Sequence, residues 1–235
     1  MQYSDTLLSK YLDIKVANRM RTVALLARKG GTGKTTLAVH LAVLAAESER
    51  RVLLVDTDPQ RSAGDWWRVR KTDDPRLVEC AAKRVPAVLE AAANDGIDLV
   101  VVDTRPSVEA DTAEIARLSD LVLIPTRPGI LDLRAIAATV EVVVSAKRAA
   151  WIVLNAVPAA RGFGENGLTA EARRALAAYR IPVAEAAIGT RAAFAHALID
   201  GRSVTEFEPD GKAARELRKL FQQMETVLWP GLARR

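Results

Sequence analysis

Residues 28–36 read Arg-Lys-Gly-Gly-Thr-Gly-Lys-Thr-Thr, a run that can do chemistry on phosphates. It follows the apolar stretch Thr22–Ala27 and precedes Leu37, Leu41 and Leu44 at helical spacing. A strand that feeds a glycine-rich turn into a helix start aims backbone N–H groups and a positive helix end at an anion. Gly30, Gly31, Thr32 and Gly33 would supply that backbone, Lys34 would reach the terminal phosphates, and Thr35 and Thr36 would close the cradle. The Thr35 hydroxyl suits a magnesium ion carried by the phosphates. Gly30, Gly31 and Gly33 suit a turn with unusual dihedrals and a ligand approaching without a Cβ in its way. The strict spacing G-x-x-x-x-G-K-[ST] would put glycine where this chain has Arg28, and a second lysine, Lys29, comes next.

Two acidic runs could complete such a site. Val52–Val55 leads into Asp56-Thr57-Asp58-Pro59-Gln60, which sets two carboxylates past the end of an apolar strand. A carboxylate there can orient a water in line with a γ-phosphate. Asp56 suits either a supporting contact to magnesium or its waters, or a cap on the following turn or helix. Leu99–Val102 ends in Asp103, which would hold Mg²⁺ through a water because that ion gives up its waters reluctantly. Trp66 and Trp67 read as packing residues, and His40 and His196, inside helical stretches, read as neither ligands nor bases.

These residues need a scaffold that gathers strand ends. Apolar runs without alternation occur at 22–27, 52–55, 99–102, 121–124 and 151–154, with a weaker one at 183–188. Helical patterns separate or follow them at 34–48, 84–93, 110–118, 131–146, 168–179, 191–199 and 211–228. Continuous apolar strands alternating with helices predict an α/β fold, a mostly parallel twisted sheet with helices on both faces, whose ligands bind at the carboxyl ends of the strands. The 235 residues fit a single such domain over 21–235, preceded by an extension over 1–20 in which Leu7, Leu8, Tyr11, Leu12 and Ile14 suggest a short helix. Cys80 is the only cysteine, so no disulfide forms within the chain, and it reads as a small packing residue. No apolar run of 18 residues occurs and the N-terminus lacks an export pattern, so neither a membrane span nor secretion is expected. Residues 1–144 balance 20 Lys and Arg against 20 Asp and Glu, whereas 145–235 carry 14 against 9, so the whole net charge of +5 is C-terminal. Such an excess suits an anionic partner, nucleic acid or lipid, or simply a solvated face.

The run Lys29-Gly30-Gly31-Thr32-Gly33-Lys34-Thr35-Thr36, with Asp56-Thr57-Asp58-Pro59-Gln60 and a strand ending in Asp103, resembles the deviant Walker A motif and companion motifs of the ParA/MinD family of P-loop ATPases. The likeness runs from about Thr22 to Leu228 and includes Ile188-Gly189-Thr190-Arg191, Phe194, Gly201 and Val204. It implies ATP and Mg²⁺ as ligands and hydrolysis to ADP and phosphate. In the family the early lysine, here Lys29, crosses a dimer interface to the partner's phosphates. Asp58 takes the water-orienting role, and Asn155 stands where relatives place an asparagine near adenine, although a turn-forming asparagine fits there as well. No Lys-x-Asp follows Asn155, so the guanine-reading N-K-x-D signature is absent and ATP is expected over GTP. The family usually continues its magnesium aspartate as Asp-Thr-Pro-Pro, whereas this chain has Asp103-Thr104-Arg105-Pro106.

Within the family the chain is similar to the short partition ATPases. That implies a homodimer in the ATP state, non-specific DNA binding through Arg191, Arg215, Arg218 and Lys219, and a ParB-like activator or cargo adaptor that stimulates hydrolysis. A cytoplasmic, nucleoid-associated protein that segregates or positions a plasmid, a chromosome or a protein cluster would result. One alternative is a MinD-like membrane switch, because Leu217, Leu220, Phe221, Met224 and Leu228 form a stripe beside Lys212, Arg215, Arg218 and Lys219; docking of that stripe on the sheet is preferred. Another is a biosynthetic ligase of the dethiobiotin or cobyrinate type, which does not need Lys29. A single cysteine excludes a shared [4Fe–4S] carrier, and no tyrosine follows Tyr179 to make a kinase tail.

Overall fold

The computed structural model describes residues 19–107, 110–159 and 164–231, so nearly all of the expected N-terminal extension, with its short helix, lies outside the described residues. Strands β1 (Arg21–Leu25), β2 (Val52–Asp56), β3 (Arg76–Glu79), β4 (Leu99–Asp103), β5 (Leu121–Thr126) and β6 (Ala149–Leu154) form one sheet in the order β3-β2-β4-β1-β5-β6. Every pairing is parallel. The α-helices are α1 (Lys34–Glu47), α2 (Ser62–Val69), α3 (Val85–Asn94), α4 (Ala110–Leu118), α5 (Ile130–Ala135), α6 (Ala137–Ala146), α7 (Gly167–Leu176), α8 (Ala192–Ile199), α9 (Val204–Phe207) and α10 (Lys212–Leu228).

Both faces of the sheet are covered, which is why its strands are apolar without alternation. Val23, Leu25, Leu54, Val101 and Leu123 face α1, α8 and α10. Their neighbours Ala24, Val55, Val100, Val102, Val122 and Ile124 face α3, α4, α6 and α7. Each fully buried Leu or Val contributes about 1.5–3 kcal/mol relative to exposure. The stripe Leu217, Leu220, Phe221, Met224 and Leu228 of α10 is part of the first core, so this helix is docked and its apolar side is spent. No helix among the described residues is long and apolar enough to cross a membrane.

The structure departs from the sequence reading at three places. The weak run 183–188 is no strand: only isolated bridges pair Val183 with Ile152 and Gly189 with Val157. Pro182 has no N–H to give, and the Ala186 N–H goes to the Gln223 side chain, so a regular ladder cannot form. The helix expected over 131–146 is broken into α5 and α6, at the point where the Leu133 carbonyl accepts a hydrogen bond from the Tyr179 hydroxyl. Finally, α2, β3 and the four-residue α9 are additions. The four residues of β3 lie at the sheet edge with Arg76 exposed, and so short a run leaves no apolar signature.

Candidate nucleotide site

Parallel pairing sets Leu25 beside Asp103 and Asp103 beside Asp56, so the ends of β1, β4 and β2 deliver their loops to one place. The turn after β1 has left-handed backbone at Gly31 (φ 72°) and Gly33 (φ 96°). A Cβ on Gly33 would stand 2.1 Å from the Asn155 amide nitrogen, so that glycine is required by conformation and by space. Gly30 is different from the expectation: its φ is not positive and a Cβ there would meet Pro106 at an ordinary 3.8 Å. Gly33 also precedes α1 without any side-chain cap, which leaves the first N–H groups of that helix aimed at the cleft.

Lys34 is buried beneath this turn and reaches the Ala27 carbonyl at 3.4 Å. Burial holds its ammonium below the ordinary range, while Asp103 and Asp58 oppose the shift. Asp103 is fully buried and neither carboxylate oxygen has a well-formed hydrogen bond among the described residues. Burial pushes it up to about 7, against the pull of Thr35 and Lys34; the Thr35 hydroxyl is close but makes no well-formed hydrogen bond to it. An orphaned buried carboxylate beside a threonine hydroxyl at a phosphate cradle fits a hydrated divalent cation, with Thr35 as ligand and Asp103 acting through water. Such an ion would offset the charge of the phosphates.

Asp56 has the capping role. Its carboxylate accepts from the backbone N–H groups of Asp58 (3.0 Å), Ala63 (3.1 Å) and Gly64 (3.2 Å), which fixes the loop and the first turn of α2. Thr57 ties the same loop to β4, with both its N–H (3.0 Å) and its hydroxyl (2.9 Å) donating to the Asp103 carbonyl. The Asp58 carboxylate accepts from the Gln60 N–H within its own turn, and Asp58 lines a cleft of about 590 Å³ with Lys34, Thr35 and Thr36. Trp66, Val69, Leu198 and Ile199 form the apolar part of its wall. Asn155 donates from its side-chain amide to the Thr32 carbonyl at 2.7 Å, so it braces the phosphate turn from β6. Lys29 is not a wall of that cleft. Its side chain is 41% exposed, and its ammonium pairs with Asp132 of α5 at 2.8 Å.

Sequence reasoning missed Asp132, Thr57 and the Trp66 wall. Only the x of D-x-D marks Thr57, and nothing marks Asp132 as the partner of a residue over a hundred positions away. The basic candidates separate into two kinds. Arg191 is engaged in a bidentate ion pair with Glu216 of α10, so its charge is balanced by that carboxylate. Charge counting does not see pairing. Arg215 and Arg218 donate to the Asp210 and Pro209 carbonyls rather than to a carboxylate, although Arg218 also lies close enough to Glu47 to feel its charge, and Lys219 is exposed.

Residues 23–204 match the model of the CobQ/CobB/MinD/ParA nucleotide binding domain. The maintenance of carboxysome distribution protein A of Gloeobacter kilaueensis is 40% identical over 210 residues, covering 88% of this chain and 94% of that protein. Among solved structures, apo McdA from Cyanthece superposes with a TM-score of 0.73 at 17% identity, over 89% of this chain and 99% of that one. MinD of Pyrococcus horikoshii, complexed with Mg-ADP, gives 0.70 at 19% identity, over 90% and 98%. A phosphate turn with two lysines, an orphaned aspartate at the end of β4 and the match across most of the chain agree: this protein is an ATPase of the ParA/MinD family.

Proposed function

We propose that the chain is a positioning ATPase that dimerises around two ATP molecules and binds DNA without sequence preference in that state. The observation that carries this reading is Lys29. One lysine, Lys34, is buried in its own cleft, whereas the other stands outside it with a half-exposed side chain held only by Asp132, and it could serve a neighbouring subunit once Asp132 releases it. In this reading Lys34 and the N–H groups of residues 30–36 bind the phosphates, Thr35 and Asp103 hold magnesium, and Asp58 orients the attacking water. Asn155 keeps the turn in shape and, as the family resemblance implies, would stand near the adenine. Arg215, Arg218 and Lys219 of α10 make the DNA contacts, and separation of the dimer on hydrolysis halves the contacts available to one rigid body.

The near full-length likeness to a carboxysome distribution protein favours a protein cluster as cargo over a plasmid or chromosome. A ParB-like or other adaptor on that cargo would stimulate hydrolysis, and the DNA-bound protein would be nucleoid-associated. Lys29→Ala should keep nucleotide binding but lose dimerisation driven by a slowly hydrolysed ATP analogue. Light scattering decides it, and normal dimerisation of the variant would sink the reading.

A further inference from the structure

We propose that Arg70 and Glu206 form a clasp that positions Asp58 for hydrolysis, by fixing the far end of α2 to the turn between α8 and α9. The inference rests on the reading of Asp58 as the water-orienting residue. The helix between them, α2, has only 8 residues, too few to hold a direction by itself, so its tethers decide where it points. The near tether is the Asp56 carboxylate, which binds the Asp58 N–H and the first turn of α2 together.

The far tether is Arg70, whose side chain is 5% exposed. Its two terminal nitrogens donate to the two Glu206 oxygens at 2.9 and 2.8 Å, one of them also donates to the Gly201 carbonyl at 2.7 Å, and Nε donates to the Asp74 carbonyl at 2.6 Å. Trp66 adds a bond from its indole N–H to the Arg202 carbonyl at 3.2 Å. A planar guanidinium satisfied in this way fixes direction as well as distance. The turn is shaped to receive it. Gly201 has φ 75°, and a Cβ there would lie 2.4 Å from the Arg70 backbone.

The receiving turn is itself fastened to the phosphate-loop helix. Ser203 and Glu206 form a capping box on α9, the Val204 N–H donates to His40 Nδ1 at 3.1 Å, and the Thr205 hydroxyl donates to Glu47 at 2.9 Å. Both His40 and Glu47 belong to α1, which starts at Lys34. The clasp thus registers α2, and with it Asp58, against the element that holds the phosphates. Neither Arg70 nor Glu206 lines the nucleotide cleft, so they act as positioning residues.

Steady-state ATPase rates and the Kd of a slowly hydrolysed ATP analogue, measured on the full chain, test the clasp. Glu206→Gln keeps the shape and can still accept the Ser203 N–H, but removes the charge that Arg70 faces. It should lower kcat about tenfold, since displacements near 1 Å are costly to reaction geometry, and leave the analogue Kd within about twofold. Arg70→Ala should match it, with Arg70→Lys in between; should Arg70→Ala fail to fold, the other two decide. Adding Glu206→Gln to Asp58→Ala should slow the enzyme no further. An unchanged kcat in Glu206→Gln, or a Kd weakened by the same factor as kcat, overturns the clasp while leaving Asp58 in its role if Asp58→Ala alone is slow. Full turnover in Asp58→Ala removes the reading of Asp58, and the clasp with it.

Discussion

The cleft at the ends of β1, β2 and β4 and the basic C-terminal part treat charge in opposite ways. In the cleft, Lys34 and Asp103 are buried, and the carboxylate of Asp103 has no well-formed hydrogen bond among the described residues. In the C-terminal part, the charges lie near the surface and several are paired, as in Arg173 with Glu165, Arg191 with Glu216 and Arg202 with Asp200. A buried charge left without partners lowers the stability of the ligand-free protein and is justified by a ligand that completes it. A paired surface charge is close to neutral for stability and contributes little to binding until its partner lets go. Net charge by region therefore says where cations are, and tertiary pairing says which remain available.

Three sets of substitutions sharpen this contrast, in decreasing order of expected effect. Lys34→Ala removes the cation that lines the cleft among the described residues, and nucleotide affinity should fall by on the order of 10²-fold or more, as titration of a fluorescent ATP analogue would show. Binding within a few-fold of the parent would mean that the backbone cradle suffices.

Asp103→Asn tests the cost of the orphaned carboxylate. The folded value of about 7 lies above the ordinary 3.8, so the unfolded chain ionises first as pH rises. Stability present below about pH 4 is lost across the window up to about 7, by as much as roughly 4 kcal/mol for such a shift. The ligand-free variant should therefore melt above the parent at pH 8, with the gap closing toward pH 4, while its response to Mg·ATP disappears. A gap that does not change with pH would place the effect elsewhere.

The smallest effect belongs to DNA. Arg215→Ala and Lys219→Ala should each reduce the slope of log affinity against log salt by about 0.9 in the ATP state, while Arg191→Ala should leave it nearly unchanged because Glu216 already occupies that cation. Gel shifts across a salt series report the slopes. A full loss of slope from Arg191→Ala would mean that the Glu216 pair opens on DNA.

The sequence by itself determined most of the elements and the chemistry carried by short motifs. Glycines at 31 and 33, lysine at 34 and aspartates ending two apolar runs are local facts, since a strand feeding a turn into a helix has few ways to fold and its N–H groups must point forward. Doubly apolar strands also announced a sheet covered on both faces. The roles that depend on what another segment brings were decided only in three dimensions. Asp56 became an anchor because α2 places the Ala63 and Gly64 N–H groups against it, and Asn155 became a brace because β6 ends beside the phosphate turn. Lys29 met Asp132, Arg191 met Glu216 and Arg70 met Glu206, each across a long stretch of chain. Residue type and spacing limit what a side chain can do; its partner, and hence its free charge, depends on which distant elements the packed sheet brings alongside it.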